Sequence, residues 1–129
     1  MKSNKIFMVL AIVLGVVFAV QQLQAADGVD VKQAQSMNQQ GALLLDVRES
    51  DEYAAMHAPN AKLIPLGQLG SRLQEIAAYK DKPIVVMCRS GRRSAQAVSL
   101  LQQAGYTQVS NVKGGIQAWQ ADGLEVVRM

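Results

Sequence analysis

Ile84-Val85-Val86-Met87-Cys88-Arg89-Ser90-Gly91-Arg92-Arg93-Ser94 runs from four apolar residues into the only cysteine of the chain, and then into three arginines, a glycine and two serines. The uncharged run Ile84–Met87 predicts a strand buried on both faces, as in a parallel sheet. A helix is predicted from Ser94 to Ala104, with Ala97, Val98, Leu101 and Ala104 along one stripe and Gly105 closing it. Cys88 therefore stands at the carboxyl end of a strand, where open α/β sheets gather their ligands.

The flanking sequence repeats the alternation. Leu43-Leu44-Leu45-Asp46-Val47 reads as a second buried strand, followed by the charged turn Arg48-Glu49-Ser50-Asp51-Glu52. Ser50 is the expected N-cap of a short helix, with Asp51 and Glu52 in its first turn. His57-Ala58-Pro59-Asn60-Ala61 breaks that helix, and Lys62-Leu63-Ile64-Pro65 is a brief extended piece. Leu66 to Ala78 is expected to be helical, with Leu66, Leu69, Leu73, Ile76 and Ala77 on one face. Another strand is expected from Val109 to Val112, then a turn at Gly114-Gly115 and a short helix from Ile116 to Ala121 stopped by Gly123. Asp30 to Gln40 reads as an opening strand and helix. Short strands alternating with helices predict an α/β fold with a central, mostly parallel β-sheet flanked by helices on both faces.

The N-terminus has a separate character. Lys2 and Lys5 precede an apolar run from Ile6 to Val20, and Leu23-Gln24-Ala25 has the small-residue pattern of a cleavage site. This layout predicts a signal peptide over residues 1–25, export to the periplasm and no stable membrane association once it is cleaved. An uncleaved segment would instead serve as an anchor, although the run is short of the roughly 20 residues of a membrane span. The whole chain carries +3, and loss of Lys2 and Lys5 leaves +1 on residues 26–129, too little to argue for nucleic acid as a partner. Just over a hundred residues suffice for one domain with its own core. A single cysteine excludes an intramolecular disulfide, so the thiol is inert, paired with another molecule, or kept for chemistry.

The loop around Cys88 argues for chemistry. A thiol of pKa near 8.5 is only about 3% thiolate at pH 7. Helix-entry amides and the guanidinium groups of Arg89, Arg92 and Arg93 would lower that pKa. Gly91 permits the backbone to fold its amides into an anion nest, and Ser94 offers a helix cap and a hydroxyl donor. Such a loop can support attack on a sulfane sulfur, or on phosphorus or arsenic. Cysteine phosphatases have an arginine six positions after the cysteine; here that position is Ser94 and Arg93 is fifth. The smaller cradle suits a single sulfur better than a tetrahedral phosphate. Asp46 and Arg48 are expected to form a structural pair, and His57 to make structural hydrogen bonds rather than a Cys–His dyad. Tyr53 and Trp119 are expected in the core or a pocket wall.

Three segments together resemble the rhodanese family, in its single-domain form. They are Leu44–Glu49 with Glu52-Tyr53, His57, Pro59–Ala61 and Ile64-Pro65; the loop Cys88–Ser94; and Asn111–Ile116 with Trp119 and Gly123-Leu124. The two departures are Ala58, where a larger aliphatic residue is usual, and Asn60, where glycine is usual; Asn tolerates left-handed backbone. The resemblance implies a rhodanese-like domain over residues 26–129. It further implies sulfur transfer from a small donor such as thiosulfate, through a Cys88 persulfide, to cyanide or a thiol. In that reading Arg89, Ser90, Gly91, Arg92, Arg93 and Ser94 bind the substrate, no metal or organic cofactor is needed, and the protein acts as a monomer. A slow sulfur carrier or sulfide-responsive module is the alternative, and a phosphatase or arsenate reductase on the same scaffold the more distant one.

Overall fold

Two runs in which every residue is buried pair at the centre of the molecule. In the computed structural model, which describes residues 28–129, these are β1 (Leu43–Asp46) and β3 (Ile84–Met87). They lie parallel, with Leu45 opposite Val86 and Asp46 opposite Met87. β2 (Lys62–Leu63) joins the free side of β1, and β4 (Val109–Asn111) the free side of β3, giving the order β2-β1-β3-β4, parallel throughout. The leader expected over residues 1–25 lies outside the described residues.

Strand periodicity sorts the core into two layers. Leu43, Leu45, Val47, Ile84, Val86 and Cys88 face one layer, completed by Leu69, Ile76, Ala97 and Leu101. Leu44, Val85 and Met87 face the other, with Val31, Ala34, Ala58, Ile116 and Trp119. Helices cover both faces, which is why these strands read as continuous apolar runs rather than as alternating ones. The helices are α1 (Val31–Gln39), α2 (Ser50–Ala55), α3 (Leu66–Leu69), α4 (Arg92–Gln103) and α5 (Gly115–Ala121), with a 3-10 helix over Leu73–Tyr79. The α/β fold with a parallel sheet between helices is the one expected.

Several details differ from expectation. The helix expected from Leu66 to Ala78 is α3 followed by the separate 3-10 helix, because Gly67, Gly70 and Ser71 supply poor helix formers where the apolar stripe alone suggested continuity. Ser50 is the first residue of α2 and not its cap. Glu49 takes that place, and its N–H donates to the Glu52 carboxylate at 3.1 Å. No strand forms within residues 30–40, and among the described residues the only extended pairing nearby is a single parallel bridge between Val29, just before that segment, and Val112. α1 follows it, capped by Asp30, whose carboxylate accepts from the Gln33 N–H at 2.7 Å. Asn60 adopts φ +66°, the left-handed geometry expected where glycine is usual.

Candidate active site

Cys88 is the first residue beyond β3, and four residues later the chain is already in α4. That reversal needs Gly91 at φ +110°, a backbone state costly to any side chain. The turn aims the Gly91 N–H at the sulfur, 3.1 Å from Cys88 Sγ. Ser94 is buried in the first turn of α4. It was expected to cap that helix, but Gly91 holds the cap position without a side-chain bond. Ser94 Oγ lies instead 3.3 Å from Cys88 Sγ. Burial pushes the Cys88 thiol up, yet the Ser94 hydroxyl and the amides of Ser94, Gly91 and Ser90 outweigh it and leave the group below its ordinary pKa.

The loop is held from outside by α5. Ile116 N–H donates to Cys88 O at 2.9 Å, and Gln117 N–H to Arg89 O at 3.2 Å. With those carbonyls drawn outward, amides are left to face the sulfur. The approach is so close that a Cβ on Gly115 would stand 2.2 Å from Cys88 O. The Gly114-Gly115 turn is therefore a packing requirement of the cysteine loop.

The three arginines differ in placement. Arg93 grips Glu52 with two parallel bonds of 2.6 and 2.8 Å, joining α4 to α2. The Arg93 bonds hold the Glu52 carboxyl at about 2, far below the usual carboxylate range. Arg89 and Arg92 are exposed and take part in none of the ion pairs among the described residues. Cys88 itself is only 1% exposed and packs in the layer with Val47, Val86 and Ala97. Hence the sulfur is both lined by amides on its loop side and walled by apolar side chains behind.

Other singled-out residues serve the frame. Arg48 Nη2 donates to Asp46 Oδ2 at 2.8 Å and to Met56 O at 2.7 Å, pinning the start of the β1 turn to the end of α2. The His57 ring stacks on Tyr53 with centroids 3.7 Å apart, and its Nδ1 lies 2.8 Å from Tyr53 O. Its backbone pairs with Val127 in both directions. Trp119 is buried, with Nε1–H donating to Glu125 O at 2.8 Å. Two residues at the site were not read from the sequence as part of it: Glu52, placed only in the first turn of α2, and Asn111 at the end of β4. Asn111 Nδ2 donates to Gly91 O at 3.1 Å, and its Oδ1 accepts from the Ser94 hydroxyl at 2.5 Å. The one available signal was position. A polar residue ending a strand beside β3 falls at the same sheet edge as Cys88.

Such a site can hold a sulfur anion. Comparison with known proteins agrees in kind. A family model described as a Rhodanese-like domain matches residues 30–122. A sulfurtransferase of Allochromatium vinosum is 44% identical over 85 residues, covering 66% of this chain and 78% of that one. Thiosulfate sulfurtransferase GlpE of Pseudomonas savastanoi pv. phaseolicola is 33% identical over 90 residues, covering 70% of this chain and 83% of that one. Among solved structures, a human single-domain sulfurtransferase superposes with a TM-score of 0.66 at 33% identity, covering 73% of this chain and 95% of that one.

Proposed function

The chain belongs to the rhodanese family, and from that membership we propose that it is a sulfurtransferase working through a persulfide on Cys88. The observation that carries the proposal is the Gly91 N–H set 3.1 Å from Cys88 Sγ in a loop whose carbonyls are bound on its outer side. In the first half-reaction the Cys88 thiolate attacks the outer sulfur of thiosulfate. A sulfur–sulfur bond forms to Cys88, the bond to the sulfonate sulfur breaks, and sulfite leaves with that electron pair. In the second, cyanide or a thiolate attacks the terminal sulfur and the Cys88 thiolate departs, so the enzyme returns unchanged. The loop amides stabilise the thiolate and the terminal sulfur as an oxyanion hole stabilises oxygen. Exposed Arg89 and Arg92 attract the anionic donor. Arg93, engaged with Glu52, contributes by holding the loop.

The test is release of thiocyanate from thiosulfate and cyanide by the purified protein, with none from Cys88→Ala. Equal turnover by that variant would remove the proposal. The 1% exposure of Cys88 favours a second reading, a sulfur carrier that loads a persulfide but passes it on slowly to small acceptors. Under that reading thiocyanate release is weak, while transfer to a protein thiol is fast. On the strength of Lys2 to Ala25 alone, the proposal includes export to the periplasm with cleavage after Ala25. The N-terminal sequence of the protein recovered from cells checks it.

A further inference from the structure

The hydrogen bonds around Ser94 fix which way its single hydroxyl hydrogen points. Gly91 O is an acceptor only, so the atom of Asn111 lying 3.1 Å from it must be Nδ2. Oδ1 then faces Ser94 Oγ at 2.5 Å, and an amide oxygen cannot donate. The Ser94 hydrogen is therefore directed at Asn111. Toward Cys88 Sγ, 3.3 Å away, Ser94 presents a lone pair, which suits a thiol S–H. A thiolate has the opposite need, since it can only accept.

We propose that Asn111 is a positioning residue that competes with the Cys88 sulfur for the Ser94 hydroxyl hydrogen, and so sets the pH at which the nucleophile forms. When the thiol proton leaves to solvent, the Ser94 O–H rotates from Asn111 Oδ1 to Cys88 Sγ; no atom is exchanged between Ser94 and the sulfur. The Ser94 contribution to the thiolate is its bond to the sulfur less the bond given up to Asn111. Once the outer sulfur of a persulfide carries the charge, the hydroxyl can return to Asn111. Removing the amide does not release the loop. Gly91 O still accepts from Ala95 N–H at 3.2 Å, and Cys88 O and Arg89 O stay bound to α5. Charged groups reach the surroundings of Cys88 from several elements. Arg93 on α4 is neutralised by Glu52 of α2, with Glu49 beside that pair. Arg89 and Arg92 sit on the loop and first turn of α4, exposed, and the Asp46–Arg48 pair beyond β1 is internally compensated. β4 brings Asn111 and, beyond it, exposed Lys113, and the first turn of α5 brings no charge.

The inference rests on Cys88 being the nucleophile, but its test needs no sulfur donor, so it fails or stands separately from the transfer reaction. Thiolate absorbance in the far ultraviolet is followed against pH, with Cys88→Ser as the blank. Asn111→Leu, similar in size and without an acceptor, is expected to lower the apparent Cys88 pKa by about one unit. In a Ser94→Ala background the same substitution is expected to change it by less than about a third of a unit. Should Asn111→Leu fail to fold by circular dichroism, Asn111→Ala is read in both backgrounds in the same way. An unchanged or raised pKa with Ser94 present, or an equal shift in both backgrounds, overturns the proposal.

Discussion

At the scale of single residues, the sulfur is tuned by donors that differ in kind. Gly91 N–H is fixed by the backbone, whereas the Ser94 hydroxyl can turn. Ser94→Ala removes the second alone, and is expected to raise the apparent Cys88 pKa by up to about one unit. The pH at half-maximal rate of persulfide formation rises with it. The native profile should reach half-maximum below the ordinary thiol pKa, since the folded thiol lies below its ordinary value. Cys88 was legible because a lone cysteine, an arginine-rich loop and a preceding apolar run coincide in eleven consecutive residues. Ser94 was legible as a donor but misread as a cap. A serine at a helix start favours capping on average, and only the tight Gly91 turn shows that the helix begins earlier. Asn111 was not assigned a role because its importance depends on the pairing of β3 with β4, a long-range fact.

At the scale of elements, the site is a junction of β3, α4, α5 and the start of α2. Gly115 sits where α5 meets the loop, at φ +55° and with no room for a methyl group. Gly115→Ala is expected to cost more than about 2 kcal/mol in denaturant unfolding and to lower persulfide formation, because Cys88 O must move. Glu52 joins α2 to α4 through Arg93, with side chains 28% and 33% exposed. Glu52→Gln is expected to cost only about 0.5–1 kcal/mol, while releasing Arg93 and changing KM for an anionic donor more than stability. The Glu52 carboxyl is lowered from 4.5 to about 2 by the Arg93 bonds, so its contribution is complete above pH 4.5 and is lost as the pH falls toward 2. Urea midpoints of the native protein and Glu52→Gln should therefore converge across that interval. The helix misread over Leu66–Ala78 belongs to this scale as well. Its apolar spacing is genuine, since Leu69 and Ile76 reach the same core layer, but with Gly67, Gly70 and Ser71 in the segment they do so from two short, separate helices.

At the scale of the whole molecule, two apolar layers on a parallel sheet fix the cysteine at a strand end, and a buried ion pair braces the same edge. Asp46 and Arg48 are almost fully enclosed, so Asp46→Ala is expected to destabilise the fold by about 3–5 kcal/mol by stranding the guanidinium, read as a fall in the thermal midpoint. The layer architecture was legible from buried strand runs alternating with helices, because each run is long enough to bury on both faces. The edges were legible in part: β2 (Lys62–Leu63) lies within the extended piece read before Pro65, whereas the Val29 contact is one bridge, too short to leave a periodic trace. The central claim is that main-chain donors hold the Cys88 sulfur ready to accept and pass on another. Intact-mass measurement of the folded protein after thiosulfate tests it most directly. A gain of one sulfur atom, absent in Cys88→Ala and reversed by cyanide, is the expected result; an unchanged mass in native, reduced and folded protein would contradict it.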